Sequence, residues 1–87
     1  MEYRINGGEM TSPKQAHGVI AAAMGFPGYY GNNLDALWDM LTTAKGTAII
    51  YNVSGMLNAL GGYGCKMLAV FFEAAEKNPG FDFRTEG

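Results

Sequence analysis

The sequence predicts an α/β domain in which a small parallel three-stranded sheet packs with about four helices, in the order β-α-α-β-α-α-β. Three observations lead there. Strand-like runs at 2–6, 47–53 and 81–84 are separated by segments with apolar residues at helical spacing, and strands joined by helical crossovers favour parallel pairing. The 87 residues are 48% hydrophobic and 16% charged, too apolar for disorder and enough for one modest core that buries roughly 60 to 65% of the unfolded surface. No repeat, low-complexity tract or linker divides the chain, so one domain over 1–87 is expected.

Each element has a local reason. Residues 2–6 alternate, with Tyr3 and Ile5 on one side, and run into the turn signal Asn6-Gly7-Gly8. Ser12-Pro13-Lys14-Gln15 combines a cap, proline at the first helical position and Gln three residues after the cap, so a helix starts there. Its stripe is Ala16, Val19, Ile20, Ala23 and Met24, and Gly25 with Pro27 stops it. Asn33 caps a second helix whose Leu34, Leu37, Trp38 and Leu41 form the core-facing stripe. The run 47–53 is nearly continuously apolar and β-branched, as a strand covered on both faces or lying at a sheet centre would be. Residues 54–60, with Ser54 as cap, suit a short helix, which Gly61-Gly62-Tyr63-Gly64 breaks as a flexible turn. A last helix has the stripe Leu68, Phe71, Phe72 and Ala75 and ends at Asn78-Pro79-Gly80, before the alternating strand 81–84. The brevity of that strand predicts a frayed sheet edge.

Composition also narrows function. Six basic against eight acidic residues give a net charge of −2, with no basic footprint for direct nucleic-acid binding. A single cysteine cannot form an internal disulfide, and the start of the chain lacks a signal-peptide pattern, so a reducing, cytoplasmic setting is expected. No run approaches the roughly 20 apolar residues of a membrane span. His17, the only histidine, has no Cys, Asp or second His at ligand spacing, so it reads as a packed or capping side chain, with no metal or cofactor expected. Cys65 reads as an inert thiol, and the Gly61–Gly64 run lacks the Lys-Ser/Thr of a phosphate loop.

The second helix breaks a local rule. At about 100° per residue, Asp35, Asp39 and Thr42 share a face roughly 115° from the apolar stripe. Acids four residues apart repel by about 0.2–0.5 kcal/mol, with nothing basic at i±4 to offset them. Asp35 recovers some of that at the positive helix start; Asp39 gains little. Such a face is either plain solvated surface or a binding site. The preceding loop carries Phe26, Tyr29 and Tyr30, where tyrosine is a favoured interface anchor; one of the two tyrosine rings is expected to be buried and the other presented. Trp38, on the apolar stripe, reads as core or half-core. A hydrolytic couple of Asp35 and Asp39 is disfavoured, because the two acids share one helix and do not flank a groove, and no base, nucleophile or metal site accompanies them.

The thirteen residues Pro27-Gly28-Tyr29-Tyr30-Gly31-Asn32-Asn33-Leu34-Asp35-Ala36-Leu37-Trp38-Asp39 resemble the signature of the barstar family, small cytoplasmic inhibitors of secreted bacterial ribonucleases. Weaker resemblance extends through Ile5-Asn6-Gly7, His17, the central strand and Val70-Phe71-Phe72-Glu73-Ala74. The resemblance implies a non-enzymatic inhibitor that binds a secreted guanyl-type ribonuclease 1:1. Its partner-binding residues would be Tyr29, Tyr30, Gly31, Asn33, Asp35, Trp38, Asp39, Thr42 and Glu73. By this resemblance the Asp39 carboxylate takes the place of a substrate phosphate among the enzyme's cations, Asp35 adds hydrogen bonds, Tyr29 stacks, and Asn33 and Thr42 contribute polar contacts at the rim. The matching aspartate of the founding member is an established binding hot spot. This chain departs from that member in three places: Lys77 matches an acid, Ala44 matches an aromatic, and the segment 54–66 is a few residues shorter. An alternative reading keeps the fold and surface but makes the chain an immunity or interaction module for a different toxin or cellular partner.

Overall fold

The computed structural model describes residues 1–87. Along the chain, β1 (Glu2–Asn6) leads through a 3-10 turn (Gly7–Glu9) to α1 (Pro13–Met24) and α2 (Leu34–Leu41); β2 (Gly46–Tyr51), α3 (Val53–Leu60), α4 (Gly62–Lys77) and β3 (Phe81–Thr85) follow. The strands form one sheet in the order β1-β2-β3, parallel throughout. The α/β class and the parallel three-stranded sheet with four helices are those the sequence predicts.

Side chains alternate across a strand, so register decides which residues meet the helices. Ile5 pairs with Ile50, and Ala48 with Phe83. These four and Phe81 are all buried on one face. On the opposite face Ile49 lies in register between Arg4 and Arg84, and both arginines are exposed. Parallel sheets are usually covered on both sides. Here buried residues from all four helices join one cluster with Ile5, Ala48 and Ile50, so the helices share one side of the sheet. The apolar run of β2 therefore reflects its central position and not a double cover.

Local chemistry sets the helix ends. The Ser12 hydroxyl accepts from the Gln15 amide at 3.2 Å, and Gly25 closes α1 in the left-handed region, φ 69° and ψ 37°, where glycine carries no Cβ penalty. Four expectations about element ends need correction, and so does the stripe of α4, which buries Met67, Phe71 and Ala74 while Phe72 stays 49% exposed. Strand β2 ends at Tyr51, because Asn52 turns left-handed at φ 54° and Val53 already opens α3. Ser54 does not cap α3; its hydroxyl donates to the Gly87 carbonyl at 2.7 Å. Only Gly61 breaks the chain between α3 and α4. Tyr63 and Gly64 belong to the first turn of α4, where a Cβ on Gly64 would lie 3.2 Å from Leu60 Cβ. The fourth concerns the carboxyl end, which is tied down and not frayed: β3 runs to Thr85, the Glu86 amide donates to Ile50 and its carbonyl accepts from Val53. Glu86 also pairs with Arg4 at 3.0 Å.

The core lies between the sheet and the helices. Ile20, Leu37, Leu41, Met56, Met67 and Phe71 are fully buried, and Phe71 stacks on Phe83 with ring centroids 4.5 Å apart. Helices α2 and α4 lie side by side with like ends together. At their carboxyl ends Asn78 Nδ2 donates to the carbonyls of Leu41 (3.1 Å) and Ala44 (2.7 Å). The Leu41 carbonyl, at the end of α2, also accepts from the Ala44 amide at 3.3 Å, whereas the carbonyl of Ala44, three residues further on, has Asn78 as its donor. No helix is long and apolar enough to cross a membrane.

Asn78→Ala strands the Ala44 carbonyl and leaves that of Leu41 with the Ala44 amide alone, and is expected to cost about 1–3 kcal/mol in urea unfolding. Asn78→Asp, nearly isosteric, sets an acceptor against two acceptors and is expected to cost at least as much. An unchanged unfolding midpoint in both variants contradicts the clamp.

Candidate functional site

The candidate surface begins at the turn before α2. Asn33 Oδ1 accepts from the Ala36 amide at 2.7 Å, while its Nδ2 donates to the Gly31 carbonyl at 3.2 Å. One side chain thus caps the helix and fixes the turn leading into it. Asn32 takes up the left-handed conformation at φ 54°, which asparagine tolerates. Gly31 is small for a reason: a Cβ there would sit 3.2 Å from Asn33 Nδ2 and 3.4 Å from Ala36 Cβ.

From this capped start α2 presents Asp35 and Asp39 to solvent, with Thr42 half-buried one turn further on. The Thr42 hydroxyl donates to the Asp39 carbonyl at 3.2 Å, which ties down the final turn. The single ion pair of the protein is Arg4–Glu86; neither aspartate has a cationic partner. Trp38 is half-buried against the core. Glu73 is exposed on α4, the helix packed beside α2. Lys66 and Lys77 are exposed on that same helix, seven residues before and four after Glu73.

The two loop tyrosines divide as expected: Tyr29 is 86% exposed and Tyr30 only 8%. The Tyr30 amide donates to the Pro27 carbonyl at 3.0 Å, and its ring packs on Phe26 with centroids 4.9 Å apart. Its hydroxyl meets Nδ1 of the fully buried His17 at 2.8 Å, and His17 Nε2 meets the Tyr63 hydroxyl at 2.7 Å. Tyr30 is therefore chiefly a strut under the loop, and Tyr29 is the ring the loop displays.

A neutral imidazole offers one N–H and one bare nitrogen. His17 is the sole side-chain partner of the buried Tyr30 hydroxyl, whereas Tyr63 is partly exposed and can give its own proton to water. The arrangement that satisfies every proton has Tyr30 O–H donating to Nδ1 and Nε2–H donating to the Tyr63 oxygen. Burial pushes the His17 pKa below its ordinary value of 6.5, since the charged form is disfavoured away from water. Protonation would also take from the Tyr30 hydroxyl its acceptor. Burial, then the nearby Tyr63, raises the Tyr30 pKa far above 10, and burial raises that of Tyr63. His17 is thus the packed side chain expected, whereas Tyr63 escaped sequence reading.

The candidate surface lines no cleft. Two concavities are present: a groove of about 480 Å³ between β1 and α1, and a smaller one at Gly46, Thr47 and 79–82; neither is lined by Tyr29, Tyr30, Gly31, Asn33, Asp35, Trp38, Asp39, Thr42 or Glu73. No three His, Cys, Asp or Glu side chains converge to hold a metal. Fold and surface together define a small α/β protein that presents a rigid acidic helix and an aromatic loop outward. The family described as Barstar (barnase inhibitor) matches residues 1–86, and the chain belongs to it. It is similar to the "Putative ribonuclease inhibitor YrdF" of Bacillus subtilis (strain 168), 36% identical over 76 residues that cover 84% of each chain.

His17 sets a pH dependence. Its folded pKa lies below its unfolded one, so the unfolded chain takes up the proton first and stability falls as pH drops from 6.5 toward the folded value. Urea unfolding between pH 7.5 and 5.5 is expected to show this decline, and His17→Gln, which cannot titrate, is expected to flatten it. An equal slope in both proteins assigns the decline to other groups.

Proposed function

We propose that this chain inhibits a secreted bacterial ribonuclease of the guanyl type by occupying its active site in a 1:1 complex. The carrying observation is the pair of unpaired, exposed carboxylates, Asp35 and Asp39, on a capped helix whose surface lines no cleft of its own. An exposed acidic helix that lines no cleft suits a partner with a concave cationic site. A ribonuclease must gather Arg, Lys and His around a phosphoryl transition state, so a fixed carboxylate finds charge-assisted donors already in place. In this reading Asp39 stands for the substrate phosphate, and Asp35 accepts from donors near the helix start. Tyr29 stacks as the exposed anchor, while Gly31, Asn33 and Thr42 supply the polar rim. Trp38 and Tyr30 back the surface, and Glu73 adds an acidic contact from α4. Membership in the barstar family and likeness to a protein named as a ribonuclease inhibitor support this reading. The protein would act in the cytoplasm, holding the enzyme inactive before secretion without catalysis of its own.

A second reading keeps the surface and changes the partner to a different toxin or a cellular protein. Lys66 and Lys77 on either side of Glu73 favour a partner that is acidic beside its cationic centre.

The test titrates the purified chain into secreted guanyl-specific ribonucleases while RNA cleavage is followed. Stoichiometric inhibition is expected, and no inhibition of any such enzyme by the folded protein rejects this reading. Asp39→Ala is expected to weaken binding by about 2–5 kcal/mol, chiefly through faster dissociation; a loss near zero rules out the phosphate-like role. Lys77→Glu is expected to raise the association rate at low salt and to have little effect at high salt. An unchanged rate at low ionic strength places Lys77 outside the steering field.

A further inference from the structure

The binding loop is anchored from an element outside the surface just described. Tyr30, which carries the displayed Tyr29 beside it, has one side-chain hydrogen bond, to Nδ1 of His17 on α1. The other nitrogen of His17 is held by Tyr63, in the first turn of α4. The imidazole lies at an interplanar angle of 52° to the Tyr30 ring and 78° to the Tyr63 ring, with centroids 5.7 and 6.0 Å away. Three segments far apart in the chain therefore meet at one fully buried ring.

We infer that Tyr63 is a positioning residue for the partner-binding loop: by accepting from His17 Nε2–H it keeps Nδ1 as a bare acceptor for Tyr30, and so holds the loop that displays Tyr29. The inference rests on the ribonuclease-inhibitor reading for its functional meaning, although its structural content concerns the free protein alone. The logic is one of proton inventory. The imidazole carries one N–H, and the Tyr30 hydroxyl has one hydrogen and, among side chains, one place to put it. Without the Tyr63 oxygen, Nε2–H loses its acceptor, and the tautomer that moves the proton to Nδ1 turns Tyr30 from donor to acceptor. Its hydroxyl hydrogen is then left in a buried site without a partner, a state that buried polar groups avoid. The remaining ties of Tyr30 are its amide on Pro27 and its ring on Phe26, both inside the same loop. The link through His17 is what anchors the tyrosine side chain to the helices.

Tyr63→Phe tests the idea because it keeps the ring and deletes the oxygen. Amide exchange at Tyr30, whose N–H is bonded to Pro27, is expected to speed up about three- to tenfold, the range of one lost hydrogen bond. Exchange at Ala36, held by the Asn33 cap, is expected to change little. In ¹⁵N spectra of the native protein His17 is expected as the Nε2–H tautomer, with Nδ1–H gaining population in the variant. Because Tyr63 acts through His17 and Tyr30, Tyr63→Phe made on top of Tyr30→Phe is expected to have no further effect on loop exchange. Toward a guanyl-specific ribonuclease, association by Tyr63→Phe is expected to slow by less than about twofold with dissociation unchanged, since a three- to tenfold rise in a small open population still leaves most molecules with the loop ready to bind. Three results each overturn the inference: unaltered Tyr30 exchange, faster exchange spread evenly over the chain as global destabilisation would give, and an undiminished effect in the Tyr30→Phe background. If the loop responds as expected and no ribonuclease is inhibited, the positioning role stands and the inhibitor reading falls.

Discussion

A neutral imidazole held between two tyrosine hydroxyls is the constraint on which the exposed surface depends. His17 is the one buried polar or charged side chain in the protein, and both of its nitrogens are satisfied. Such a group would be costly if unpaired, so the three segments that satisfy it must arrive together. Helix α1 supplies the ring, the loop before α2 supplies Tyr30, and the start of α4 supplies Tyr63. At the opposite end Asn78 bonds the last residue of α2, Leu41, and Ala44, three residues beyond it, to the end of α4. Between these two polar ties the apolar stripe of α2, Leu37 and Leu41, is fully buried. The helix is therefore fixed at both ends as well as along its inner face, which is what a surface bearing two unpaired carboxylates needs if it is to meet a partner without rearranging.

The one-sided sheet has a complementary consequence. Placing all four helices on one face of β1-β2-β3 lets a short chain build a single core around Ile5, Ala48, Ile50, Phe71 and Phe83. Its far side is left to Arg4, Ile49 and Arg84. Arg4 lies 5.1 Å above the Tyr51 ring and pairs with Glu86, so basic charge on that side is partly occupied in local contacts. The acids of α2 have no such partner. Charge is thus partly neutralised at the Arg4 edge of the sheet and left free on the acids of α2.

Features encoded by neighbouring residues could be read directly. Ser12-Pro13 and Asn33 announce their helices because a cap acts on amides three residues away, and the period of Leu34, Leu37 and Leu41 marks the buried side of α2. The exposed pair Asp35 and Asp39 was legible for the same reason, and so was the split between Tyr29 and Tyr30. What escaped depends on distant partners. Gly62-Tyr63-Gly64 reads as a break by propensity, yet it becomes helix because close packing of Gly64 on Leu60 and Leu57 outweighs the entropic cost of glycine. Val53 looks like more strand, since nothing local shows that Asn52 will turn left-handed and send its own amide group to Asn6. The ordered carboxyl end relies on bonds from Val53 and Ser54 to Glu86 and Gly87, and the Tyr63–His17 contact spans 46 positions. No spacing rule reaches that far.

If a carboxylate of this chain takes the place of an RNA phosphate, a nucleotide bound at the enzyme's phosphate site must compete with it. The affinity of the protein for an inhibited guanyl-specific ribonuclease would be measured by calorimetry at increasing concentrations of guanosine 3′-monophosphate. Strict competition is predicted, with the apparent dissociation constant rising in proportion to nucleotide once the enzyme's phosphate site is saturated. A dissociation constant independent of nucleotide, with enzyme, nucleotide and inhibitor in one ternary complex, would contradict the account.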